Sequence, residues 1–240
     1  MLRFLLFYVL ILFTGCTNVY KMSPEFVPRV IETEHFQIAT WQRVGDATSS
    51  VHVYIEGDGH AFDAYGRPTS NPTPRGNLVR QLAERDPSPN VVYIARPCQY
   101  VTDAHCSVTD WTTGRFSARV IDSVANAITV ITSNRPVVLI GYSGGAIVSG
   151  IIISRHPEIH TTEWVTIAGV INHHEWTEYF GDTSLTDSLN LNELPNIPTR
   201  HYIAESDNVV PYELSMRWLN GKFVVVPHST HDKFPNLNLF

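Results

Sequence analysis

The 240-residue chain reads as an α/β protein built on one doubly wound, mostly parallel sheet. Three features point there. Apolar runs rich in Val and Ile alternate with longer segments of helical period, as parallel strands joined by helical crossovers require. Several of these runs are apolar at every position, which suits strands covered on both faces. The composition, 43% hydrophobic and 17% charged with 15 Pro and 14 Gly scattered, excludes disorder, collagen, coiled coil and solenoid repeats.

At the N-terminus, residues 4–13 (FLLFYVLILF) form an apolar run behind Arg3. A spanning helix needs about 20 such residues, so this run does not anchor by itself. A charged start, an apolar middle and a small-residue exit are the order of a secretory signal peptide, here residues 1–15. The residues Phe13-Thr14-Gly15-Cys16 resemble the bacterial lipobox, with Phe13 departing from the usual aliphatic residue. That resemblance implies that Cys16 is lipidated, becomes the mature N-terminus and holds the protein on a membrane facing the periplasm or exterior; a plain cleaved signal or a buried N-terminal strand are the alternatives. Asn18 rather than Asp follows at the second position, so inner-membrane retention is not signalled. Residues 16–29, with Pro24 and Pro28, then form a tether, and residues 30–240 the folded domain.

Assigning Cys16 to lipid leaves Cys98 and Cys106, an even pair in a compartment that permits disulfides. A local bridge is the expectation; a metal pair or two free thiols are the alternatives.

In the domain, strands are expected at 35–41, 51–56, 91–95, 137–141, 164–168, 200–204 and 223–226, and helices at 75–85, 115–133, 144–156 and 211–219. Asp86-Pro87-Ser88-Pro89 and Asn134-Arg135-Pro136 are turn punctuation ahead of strands. Residues 171–199, rich in Asn, His, Thr and Pro, read as a small insertion or partial lid above the strand ends, where ligands bind in such sheets.

Gly141-Tyr142-Ser143-Gly144-Gly145 fits G-x-S-x-G, directly after an expected strand and at the start of an expected helix. In that context Ser143 sits on a tight strand-to-helix turn, at the positive end of a helix dipole. A serine hydroxyl is a poor nucleophile until a base takes its proton, so a histidine and an orienting carboxylate are needed. Asp207, in the loop after the strand at 200–204, is the candidate acid, with Glu205 as alternative. His231, after the last strand, is the candidate base, with His228 as alternative.

The order Ser143, Asp207, His231 resembles that of the α/β-hydrolases, over nearly all of the chain beyond the tether. The phrases IEGDG, RPTSNPTPR, ARPCQY, GYSGG and INHHEWT also resemble a group of small bacterial secreted or lipoprotein members. The resemblance implies an α/β-hydrolase sheet with a small insertion instead of a large cap. It also implies an oxyanion hole from two backbone N–H groups: Gly144, after the nucleophile, and Asp58 in the Glu56-Gly57-Asp58-Gly59-His60 loop, with Gly59 next. Glu56 stands where His is more usual. The implied activity is a serine hydrolase, foremost a carboxylic ester hydrolase working through an acyl-enzyme without cofactor. Alternatives are an acyltransferase on the same residues or a non-catalytic binding lipoprotein.

The partners expected are a small-molecule or lipid ester, and a membrane through the N-terminal lipid. A net charge of −6 with 17 dispersed basic residues makes nucleic acid an unsuitable partner. No metal is expected. Glu56, Asp58 and Asp63 lack the spacing of a calcium loop, and the adjacent His173 and His174 diverge, so those two histidines read as polar lining or a loop hydrogen bond. The loop at residues 67–75 is expected foremost to pack rigidly, with bordering the pocket as the alternative, and Trp176, Tyr179 and Phe180 foremost to pack the insertion onto the body, with one wall of an apolar acyl pocket as the alternative.

Overall fold

The computed structural model describes residues 21–240. The expected signal peptide at 1–15, the expected lipidation of Cys16 and residues 16–20 of the expected tether lie outside the described residues. The strands are β1 (Val27–Glu32), β2 (Gln37–Val44), β3 (Val51–Ile55), β4 (Asn90–Ile94), β5 (Val137–Tyr142), β6 (Thr161–Ile167), β7 (Thr199–Ser206) and β8 (Val224–Thr230). The helices are α1 (Leu78–Arg85), α2 (Ala118–Thr132), α3 (Gly144–Arg155), α4 (His173–Phe180) and α5 (Tyr212–Leu219).

All eight strands join one sheet in the order β1-β2-β4-β3-β5-β6-β7-β8. The β1–β2 and β2–β4 pairs are antiparallel and the remaining pairs parallel. Period-two alternation along the central strands sends side chains to two cores. Val53, Ile55, Val92 and Leu139 meet α2 and α3 on one face; Tyr54, Val91, Tyr93 and Ile140 meet α1 and the C-terminal tail on the other. This double cover explains why those strands are apolar throughout. From β3 the chain runs to β4 on one side, then returns to β5 on the other. The ends of β3 and β5 therefore flank the switch point where a crevice opens in a doubly wound sheet.

Three features depart from the sequence reading. Strand β1 begins at Val27, inside the span expected to be tether. It is an edge strand whose side chains are almost all exposed, so it carries no hydrophobic alternation, and Pro28 is tolerated where no inner neighbour needs its missing N–H. Helix α4 lies within the 171–199 insertion, capped by the Asn172 side chain on the Glu175 N–H (3.1 Å) and closed by Gly181 at φ 67°. That insertion is pinned to the body: Leu185 and Leu191 are buried, and Ser188 bonds Phe116 N–H and Thr113 C=O. The third departure is β8, which continues past Val226 to Thr230.

Cys98 and Cys106 form a disulfide with a Cα–Cα distance of 5.8 Å. No helix among the described residues is long and apolar enough to cross a membrane.

Candidate active site

Ser143 follows β5 directly and adopts φ 51°, ψ −123°, a conformation L-residues rarely occupy. The turn is held by bonds on both sides: Ser143 N–H donates to Ile167 C=O (3.0 Å), and its own C=O accepts from Ala146 and Val170 N–H (3.0 and 3.1 Å). Surroundings that over-determine a residue are what let such strain persist. The flanking glycines are required by close approach. A Cβ on Gly141 would lie 2.6 Å from the Ala146 Cα, and one on Gly145 would lie 2.7 Å from Glu56 O and nearer still to Ile55 O.

The far end of the sheet delivers the two partners. Strands β7 and β8 pair up to Ala204↔Val226, slip, and pair again at Ser206↔Thr230. His228 takes φ 57° within the slip. Asp207 and His231 each come one residue after that last pair, so the irregularity brings them side by side. His231 Nδ1 lies 3.1 and 3.0 Å from the two Asp207 carboxylate oxygens, and His231 Nε2 lies 3.0 Å from Ser143 Oγ. The Asp207 side chain is 1% exposed and accepts the Val209 and Val210 N–H groups on Oδ1, which fixes the carboxylate plane. Tyr142 supports the imidazole from beneath, its ring 5.3 Å from that of His231 and its hydroxyl donating to Asp232 (2.9 Å) and to the His231 C=O (3.2 Å). Burial pushes the Tyr142 phenol well above its ordinary range, so it stays a donor.

The two alternatives are elsewhere. Glu205 accepts the His228 N–H, and the His228 ring, 90% exposed, lies 3.9 Å from Glu205. Neither bonds to Ser143.

The loop after β3 runs against the Ser143 turn. A Cβ on Gly57 would sit 3.1 Å from Ser143 Cβ, and one on Gly144 would sit 2.9 Å from Asp58 Cγ. The Asp58 carboxylate is clamped by Arg96 (3.3 Å) and Arg115 (3.1 Å). Burial draws the Arg96 guanidinium below its ordinary value, and Asp58 opposes that shift. Among the described residues the backbone N–H groups of Asp58 and Gly144 have no hydrogen-bond acceptor. Glu56 is buried beneath this loop, accepting Tyr93 O–H (2.8 Å) and Gly57 N–H (3.0 Å); burial raises its pKa. Thus the acidic cluster noted in the sequence is dispersed, since Asp63 pairs with Arg67. No group of three or more potential metal-ligating side chains occurs among the described residues.

Ser143 and His231 open into a cleft of about 510 Å³ whose walls include Asp58, Phe62, Arg75, Leu78, Arg115 and Trp176. From the insertion Trp176 alone lines this space, its indole N–H donating to Val209 C=O. Tyr179 and Phe180, expected to pack inward, are 45% and 41% exposed because α4 turns them outward. His173 does not face the cleft: it is fully buried against Phe116, and burial holds its pKa down to about 4.

No family model matches the chain, and no curated protein matches its sequence. Solved structures do match its fold. A serine hydrolase without a lid from Xanthomonas campestris superposes with a TM-score of 0.53 at 14% identity, covering 87% of each chain. A serine hydrolase homologue from Coxiella burnetii gives 0.53 at 18% identity over 89% of this chain and 92% of that one. A thioesterase domain of the curacin biosynthetic pathway gives 0.56 at 14%, over 86% and 94%. The chain has the α/β-hydrolase fold. Within that fold Ser143, Asp207 and His231 follow the carboxyl ends of the parallel strands β5, β7 and β8.

Sequence reasoning missed the Arg96–Asp58–Arg115 clamp and Tyr142 as support for His231. The clamp carried no local signal, since its members come from three separated loops; Tyr142 sat inside the motif as its unread second residue.

Proposed function

We propose that this protein is a serine hydrolase acting on a carboxylic ester. The observation that carries the reading is the unbroken hydrogen-bond chain from Ser143 Oγ through His231 to a buried Asp207. As Ser143 Oγ bonds to the ester carbonyl carbon, its proton passes to His231 Nε2, and Asp207 holds the imidazole tautomer and stabilises the imidazolium. The oxyanion falls to the free N–H groups of Gly144 and Asp58. The proton then leaves with the alcohol oxygen, and the acyl group stays on Ser143. Water, deprotonated by His231, attacks the acyl carbon and releases the acid. The strained Ser143 backbone keeps Oγ clear of the helix and aimed at the cleft.

The cellular setting belongs to the same proposal. The lipobox-like Phe13-Thr14-Gly15-Cys16, with a paired Cys98 and Cys106, supports a lipid-anchored protein of the bacterial cell envelope, facing an oxidising compartment.

The test is Ser143→Ala assayed on p-nitrophenyl butyrate. The expected result is a fall in kcat of at least about 10⁴-fold with unchanged circular dichroism. Turnover retained by the folded variant rejects Ser143 as nucleophile.

A further inference from the structure

The cleft beside Ser143 carries a cation that no described residue bonds or pairs with. Arg75 is exposed and lines the cleft together with Ser143 and His231. Among the described residues it makes no hydrogen bond, ion pair or ring contact. The other arginine in the wall, Arg115, is committed to Asp58 and stacks near Phe62 and Trp176. Each carboxylate of the wall is engaged elsewhere: Asp58 by two guanidinium groups, Asp232 by the Tyr142 hydroxyl, and Glu56 by the Tyr93 hydroxyl and the Gly57 N–H. Burial favours the neutral form of Glu56, which removes one more counter-charge. Arg75 is therefore the one charged side chain of the cleft wall with no bonded partner among the described residues.

Arg75 is also held in place at its backbone. It follows Pro72-Thr73-Pro74, whose ring constraints fix φ at two of three positions. Pro72 C=O accepts the His60 N–H (2.9 Å), and Thr73 Oγ1 accepts the Tyr100 N–H (2.8 Å). Gly59 is so close to this segment that a Cβ on it would lie 3.2 Å from the Pro74 ring. The loop bearing Arg75 is thus docked on the same turn that offers the Asp58 N–H. An arginine placed this way presents a planar fork that fits a carboxylate with two parallel hydrogen bonds.

We propose that Arg75 is a specificity-determining residue: it receives a carboxylate carried by the ester that Ser143 cleaves. The inference rests on the hydrolase reading above and adds the substrate's charge. The carboxylate can sit on the acyl part or on the alcohol part, and the test has an arm for each. In the first, kcat/KM for mono-p-nitrophenyl succinate is divided by that for p-nitrophenyl butyrate. In the second, kcat/KM for 4-acetoxybenzoate is divided by that for phenyl acetate. Both ratios are measured for the full chain and its Arg75→Gln and Arg75→Glu variants.

In one arm the ratio is expected to fall about tenfold on Arg75→Gln and further on Arg75→Glu, and the arm that responds locates the carboxylate. Raising the salt to about 0.5 M should shrink the wild-type ratio without moving that of Arg75→Gln. Ratios unchanged by both substitutions overturn the proposal. A third measurement separates this proposal from the hydrolase reading: titration of the Ser143→Ala protein with monomethyl glutarate, with and without Arg75→Gln. Binding that is lost with Arg75→Gln supports the anion site even if no ester is turned over. Equal binding, or none to either protein, rejects it.

Discussion

Substituting Gly145 with alanine tests whether the Ser143 turn owes its position to a backbone contact. The new Cβ would lie 2.7 Å from Glu56 O and closer to Ile55 O, both at the end of β3. Carbon and oxygen rest near 3.2 Å, so helix α3 and the β3 end must separate by at least about 0.5 Å. No flexible side chain is available to absorb that movement. Overpacking of this kind costs about 1–3 kcal/mol, which for a chain of this size lowers Tm by roughly 3–10 °C. Gly145 is two residues from Ser143, and the displaced partner carries the Asp58 loop, so the proposed nucleophile and one proposed oxyanion donor move apart. A misplacement approaching 1 Å costs about 100-fold in rate. Thermal unfolding and kcat/KM on p-nitrophenyl butyrate measure the two effects. Gly76→Ala is the stability control, because nothing lies within 4 Å of its Cβ position; its Tm should stay within about 2 °C of wild type. A Gly145→Ala protein with wild-type Tm and wild-type rate would refute the reasoning.

Other outcomes follow from the same contacts. Asp207→Asn should lower kcat by about 10⁴-fold, because the amide no longer holds the His231 tautomer that accepts the Ser143 proton; a loss below tenfold would remove Asp207 from the mechanism. His201 is buried, bonded to Thr166 Oγ1 at 2.8 Å, and burial lowers its pKa from 6.5 to about 4. The unfolded chain binds its proton first, so the stabilising contribution is complete above pH 6.5 and is lost as pH falls toward 4. That loss amounts to about 3 kcal/mol, and denaturant titrations of His201→Gln should show a shallower acid slope than wild type. Replacing Cys98 and Cys106 together by serine should lower unfolding stability by about 2–3 kcal/mol, read as a shift in the urea midpoint that reducing agent reproduces in wild type alone.

Much of the fold was legible because the central strands are covered on both faces and bounded by turn residues. Runs such as residues 137–141 have no polar position to blur the reading. The edge strand β1 was not legible for the converse reason: its side chains are almost all in solvent, so no hydrophobic alternation marks it. Helix α4 had a signal in Asn172, Glu175 and Gly181, but eight residues, just over two turns, leave too short a period to detect. At the site, Ser143 could be read from its glycines, since steric need at a tight turn is local. Choosing His231 over His228 and Asp207 over Glu205 depended on depth in the loop, and the physical basis of that choice is the β7–β8 slip, which no local pattern encodes. The 67–75 loop serves both roles the sequence suggested: it is bonded to the body through Thr69 C=O on the Trp111 indole and Thr73 on Tyr100, and its last residue lines the cleft.

The hydrolase account stands on one property, that the Ser143 hydroxyl is activated. A fluorophosphonate reacts only with a serine whose proton can be removed and whose oxyanion is received. The decisive measurement is to label the folded protein and locate the adduct by mass spectrometry, with Ser143→Ala in parallel. The account predicts a single adduct on Ser143, absent from the variant and slowed strongly by Asp207→Asn. A folded wild-type protein that takes no adduct, or takes it at another residue, would contradict it.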